Sequence, residues 1–240
     1  MDIEALISFL AELKANNHKT WFDENRARYE SLRAAFYADL QIIIDGFAEY
    51  DPPLIALKPK DCAFRINKRF PDKEGSYKTH FSAHFTGAGR GPSNAGYYFE
   101  VSADGLVTIG GGWYQPAPPH LNWILTDIAA HPEKITRIIE NPDFKRMFGG
   151  LSDQRAKKMP KGFPVDHPHA DLLLQKGFVV MEEKDAQAMS GTLTEHVTSR
   201  FKVTAPLVRY MRALEDTAPE KEAKEQETRR EGAAALSLLI

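Results

Sequence analysis

Apolar residues recur three and four positions apart at the start of the chain. Ile3, Leu6, Ile7, Leu10 and Leu13 form one helical stripe. The polar run "ANNHKT" breaks that stripe. Thr20 carries an N-cap side chain, with Asp23 and Glu24 in the turn that follows. Trp21, Phe22, Tyr29, Leu32, Phe36, Leu40 and Ile43 then predict a second helix to about Phe47. Gly46 and the pair Pro52-Pro53 are expected to close it.

The period next changes to two. In "CAFRI", Cys62, Phe64 and Ile66 point one way and Arg65 the other. In "SYKTHFSAHF", Tyr77, Thr79, Phe81, Ala83 and Phe85 oppose Lys78, His80, Ser82 and His84. "GYYFEVS" and "LVTIGGGWY" read as two strands joined at Asp104-Gly105, a hairpin signal. Phe64, Ile66, Tyr77, Phe81, Phe85, Tyr97, Phe99 and Val101 are therefore expected in the core. No helical pattern separates these strands, so the sheet is expected to be largely antiparallel.

Helical spacing resumes after "QPAPP". Leu121, Ile124, Leu125 and Ile128 mark one helix. Pro132 opens another over Glu133–Glu140, and Asp143–Phe148 adds a turn. A loop with basic residues from Arg155 to Lys161 leads to a late strand at "FVVMEE". Two helices follow, about Gly191–Phe201 and Ala205–Ala213, with Pro206 as the break. The reading is one α+β domain over residues 1–214. In it a curved, largely antiparallel sheet is packed by N-terminal and C-terminal helices. Residues 215–240 form a charged C-terminal extension with an apolar tip, "AAALSLLI".

Composition narrows the class. The chain has 240 residues, 42% hydrophobic, and a net charge of -2, enough apolar material for a sizeable core. A pI near 6.5 argues against nucleic acid as a partner while permitting a local basic patch. Cys62 is the only cysteine, so no intrachain disulfide can form and no cysteine cluster can hold zinc. The opening Met-Asp-Ile-Glu lacks the basic start of a signal peptide. No apolar run reaches the roughly 20 residues that span a bilayer. A cytoplasmic location without membrane association is expected.

The ordered motifs "FLAELKANNHKTWFDENRARYE", "FRI…RF…DK…YKTHF", "GYYFEV", "GGGWYQP" and "PKGFPVDHP" resemble a widespread microbial family, domain-of-unknown-function family 2461. The resemblance runs from about Ile3 to Leu214. It departs in two places. The family's longer Arg-Asp-containing connection is reduced here to Asn67-Lys68, which removes an acidic neighbour. Ser76 stands where the family has proline before Tyr77-Lys78. The resemblance implies no activity, so function must come from the residues.

The chemistry concentrates in "FRINKRFPDKEGSYKTHFSAHF", Phe64–Phe85. It gathers Arg65, Lys68, Arg69, Lys73, Lys78, His80 and His84 against only Asp72 and Glu74. Alternation places Lys78, His80 and His84 on one sheet face, with Tyr98 and Glu100 on the same side of a neighbouring strand. That face is either solvated, as antiparallel sheets often are, or a binding surface. Arg grips carboxylate or phosphate bidentately and Lys adds a point charge, so a small anion is the expected ligand. Arg65, Arg69, Lys73, Lys78, His80 and Tyr98 are the candidate ligand-binding residues. Glu100 beside a histidine would make an acid–base pair. The runner-up is a non-catalytic module for an acidic protein or a nucleic-acid backbone.

Other motifs are weaker. His80 and His84 lie about 13 Å apart on a strand, too far to share a metal ion. "DHPHAD" reads as a loop entering a helix with Pro168 in its first turn, so no metal site is assigned. "GAGRGPSNAG" precedes a strand rather than a helix and reads as a hairpin loop with Arg90 at its tip. Gly110–Gly112 mark either a bend in a strand or a close backbone approach to a ligand, with Trp113 or Tyr114 as a wall. No cofactor motif or nucleophile elbow is present.

Overall fold

The computed structural model describes residues 1–72, 75–87, 94–189 and 191–219. α1 (Ile3–Ala15) forms as its stripe dictates, capped by the Asp2 carboxylate, which accepts from the Ala5 N–H at 3.0 Å. The second predicted helix is two, α2 (Lys19–Glu24) and α3 (Arg26–Tyr50), meeting at Asn25. His18 caps α2, not Thr20: its Nδ1 accepts from the Trp21 N–H at 3.3 Å. An imidazole with a free nitrogen serves the orphan N–H as a hydroxyl would. Gly46 lies inside α3 and ends nothing. The helix stops at Asp51, before Pro52, which has no N–H to donate.

The "CAFRI" strand is corrected. Pro59 opens a short helix, α4 (Pro59–Cys62), so Cys62 ends a helical turn. The chain then runs extended beside the sheet. Phe64 N–H donates to the Ser82 carbonyl at 2.9 Å, and Lys78 N–H to the Ile66 carbonyl at 2.7 Å. Cys62 and Ile66 are buried, but Phe64 is only half-buried. Ala63 pairs with Ala83 on the core side, so Phe64 falls on the outer face beside His84 and Tyr98.

β1 (Asn67–Asp72) and β2 (Gly75–Tyr77) form a separate two-stranded ribbon. The main sheet is open, curved and antiparallel, in the order β3 (His80–Phe85), β4 (Gly96–Ser102), β5 (Leu106–Trp113), β6 (Phe178–Asp185). The β4–β5 hairpin turns at Gly105, whose φ of 77° suits the left-handed turn position. Phe81, Phe85, Tyr97, Phe99, Val101, Val107 and Ile109 face α1, α3 and the last helix as one core. Ile66 and Tyr77 join it as the alternation requires.

That last helix, α9 (Leu193–Asp216), replaces the two predicted. A capping box of Thr192 and Glu195 starts it, and it passes through Pro206 without stopping. An interior proline costs about 3 kcal/mol, yet α9 is buried on two sides. Val197, Phe201, Ala205 and Val208 join the first core. Leu207, Met211 and Leu214 join a second, with α5 (Pro118–Ala130), α6 (Pro132–Ile139), α7 (Pro142–Phe148), α8 (Ala170–Leu173) and Trp113. Packing on both sides outweighs the local break. α8 starts after His169, so Pro168 lies outside it.

The two cores are tied by a buried polar group. Asp51 is fully buried at the end of α3. It accepts from the Tyr97 phenol at 2.8 Å and from the Arg212 guanidinium at 2.6 Å. Past Leu214, Glu215 accepts from the Ala95 N–H at 3.2 Å and Ala218 is buried. Residues 220–240, most of the charged extension, lie outside the described residues. Among the described residues no helix is long and apolar enough to cross a membrane.

Candidate functional site

The helices cover one face of the sheet. The other carries His80, Ser82 and His84 from β3, Tyr98, Glu100 and Ser102 from β4, and Thr108, Gly110 and Gly112 from β5. Register sets Ser82 opposite Glu100 and His84 opposite Tyr98. The Tyr98 phenol donates a short hydrogen bond to Glu100 Oε2. His80 Nε2 stands 3.8 Å from that same oxygen. Glu100 thus lies between a tyrosine and a histidine, a juxtaposition that depends on the cross-strand register.

Burial is the main influence on both partners. It pushes the His80 imidazole below the ordinary histidine range, against the pull of Glu100 and with a push from Lys78. It also raises the Tyr98 phenol, helped by Glu100, so Tyr98 stays a donor.

His80 opens into a cavity of about 620 Å³ between α3 and residues 60–67. Its α3 wall is Arg26, Tyr29, Glu30, Arg33, Phe36 and Tyr37, one helix face by spacing. Lys60, Asp61, Phe64 and Arg65 form the opposite wall. Four permanent cations therefore face two carboxylates. Arg26 is paired with Asp23, and Arg33 with Glu30. The Arg33 guanidinium also lies over the rings of Tyr29 and Tyr37, 5.4 and 5.9 Å from their centroids. Arg65 is exposed and has no ion pair among the described residues.

A second cavity, about 340 Å³, lies further along the same face. Phe64, His84, Tyr98, Tyr114, Val179 and Met181 line it, and Gly96 with Gly110–Gly112 form its floor. The glycines answer to packing. A Cβ at Gly111 would stand 2.6 Å from Thr204 Oγ1, so α9 could not lie so close to the sheet. Gly112 has a φ of 126°, and a Cβ there would run into the Phe178 carbonyl. Packing does not exclude the other reading, because the same bare backbone leaves the outer face concave. Tyr114 is a wall of that concavity, while Trp113 is buried in the second core.

The candidate residues divide. Arg65 and His80 line the cationic cavity together. Tyr98 lines the glycine-floored one and reaches His80 only through Glu100. Lys78 places its ammonium 5.0 Å from the Phe64 ring centroid, on the wall that both cavities share. The Arg69 side chain, Lys73 and Arg90 lie outside the described residues. Arg26, Arg33 and Lys60 were missed. The α3 pair was legible as a basic stripe beside Tyr29 and Tyr37, but the apolar stripe of the same helix drew the reading. Among the described residues no cluster of three or more His, Cys, Asp or Glu is placed to hold a metal ion.

The profile of a family described as "Conserved hypothetical protein (DUF2461)" matches residues 5–210. No curated protein and no solved structure matches the chain.

Proposed function

The chain belongs to the DUF2461 family of conserved hypothetical proteins, and we propose that it binds a small anionic ligand, bearing phosphate or carboxylate, in the cavity between α3 and residues 60–67. Arg65 carries the reading. It is an exposed guanidinium in a concave, cation-rich site, with no carboxylate of its own among the described residues. A guanidinium left open in this way offers its donor fork to a bidentate oxyanion. Arg33, held over two tyrosine rings, adds charge with little freedom left to lose. His80 supplies a group able to exchange a proton with the ligand. The concavity supports a small ligand over a flat contact for an acidic protein or nucleic-acid backbone. The single cysteine, buried and outside any disulfide, supports a cytoplasmic setting.

Calorimetric titration with sulfate and phosphate tests the reading. Arg65→Ala is expected to weaken both at least tenfold, with stability held within about 0.5 kcal/mol as for other surface substitutions. Equal affinity in the variant would remove Arg65 from the site. Affinity that collapses between 50 and 200 mM salt, with no saturable site, would favour a backbone-binding module instead.

A further inference from the structure

We infer that the ligand is amphipathic, an anionic head joined to an apolar chain or ring. The head sits in the cationic cavity and the apolar part crosses Phe64 into the glycine-floored groove. This rests on the anion-site reading above and adds the other half of the ligand.

The warrant is the position of Phe64. Alternation assigned it to the core, and the structure leaves it half-buried as a wall of both cavities. Its ring carries the Lys78 ammonium 5.0 Å from its centroid, so a cation marks the boundary between the two. On one side lie Arg65, Arg33, Arg26 and Lys60. On the other, beside Asn94, the lining is Met181, Val179, Tyr114, bare glycine backbone and the rings of Tyr98 and His84, with no permanent charge. Permanent charge thus lines only one side of this aromatic side chain.

The separation has the length of a small amphiphile. His80 lines the first cavity and His84 the second, on the same face of β3. Four strand residues span about 13 Å. Glu100 accepts from the Tyr98 phenol and stands 3.8 Å from His80, so one carboxylate lies between the two ends of the site. Met181 is exposed over the groove floor, a flexible thioether suited to packing on chains of varied shape. An anion without an apolar part would leave this groove unused. An apolar molecule without a charge would leave Arg65 open.

The test titrates the full chain with inorganic phosphate, butyl phosphate and octyl phosphate, the last below its micelle concentration. Each methylene that enters the groove is expected to tighten binding about fourfold at most. Met181→Glu, which sets a carboxylate over the floor, is expected to abolish that gain, and Tyr114→Ala to reduce it. Arg65→Ala is expected to weaken all three ligands. Equal affinity for phosphate and octyl phosphate, with Arg65→Ala still weakening both, would overturn the amphipathic ligand and leave the anion site standing. A chain-length gain that survives both groove variants would place the chain elsewhere and overturn it as well. Failure of the wild-type protein to bind any of the three would sink the anion reading itself, and this inference with it.

Discussion

Among the described residues, Arg65 differs from Arg26 and Arg33 in having no carboxylate partner. Arg26 and Arg33 are each neutralised by an acid within one helical turn, an exposed arrangement worth little to stability. Both remain donors in the cavity wall, while Arg65 is the guanidinium open to direct contact. His80 adds a conditional charge. Its pKa is lowered, chiefly by burial, so it is neutral near pH 7 and gains a proton only below the ordinary value of about 6.5. Lys78 opposes that proton and Glu100 favours it. A bound anion would favour it too. Sulfate binding is therefore expected to tighten as pH falls from 7 towards 5, and His80→Gln to flatten the dependence. Sulfate is the suitable probe because it does not titrate in that window. Binding that weakens on acidification in the wild-type protein would show that His80 does not face the anion.

Elements, more than single side chains, decide how the site is shaped. α3 is one long helix doing two jobs: Phe36, Leu40, Ile43 and Phe47 pack on the sheet, while Arg26, Tyr29, Arg33 and Tyr37 wall the cavity. α9 lies against β5 only because Gly111 has no side chain there. Gly111→Ala is expected to cost about 1–3 kcal/mol, the range for overpacking a tight contact, read as a lowered melting temperature. A neutral substitution would mean that the helix and sheet have slack between them. The main-sheet strands and their faces were legible in the sequence because alternation is strict from His80 to Phe85 and from Gly96 to Ser102, whereas the break at Lys78–Thr79, which leaves Tyr77 in the separate β1–β2 ribbon, was not. Nor was the continuity of α9. Pro206 is a local signal, while the burial that overrides it comes from Leu207 and Met211 on one side and Phe201 and Val208 on the other. Phe64 was misplaced for a similar reason. Alternation gives relative faces, and only the pairing of Ala63 with Ala83 reveals that Phe64 falls on the outer one.

Across the whole molecule, an antiparallel sheet is covered by helices on one face and left concave on the other. Two cores meet at α9, and the buried Asp51–Arg212–Tyr97 group joins them. Removal of one partner from such a group leaves a buried charge uncompensated, which makes it an organiser of the fold rather than a site. Charged and titratable side chains collect where the burial ends, along α3, residues 60–67 and the outer rows of β3 and β4. The basic stretch from Phe64 to Phe85 contributes Arg65 and His80 to this region. It could not show that α3 supplies the other cations, because helix and strand come together only in three dimensions. Anion capture in the cavity bounded by Arg65 and Arg33 is the central claim. The most direct measurement is an anomalous difference map from crystals of the full chain soaked in tungstate. The account predicts a peak within hydrogen-bonding distance of the Arg65 guanidinium, between α3 and residues 60–67. An empty cavity with tungstate bound at other surfaces of the same crystals would contradict it.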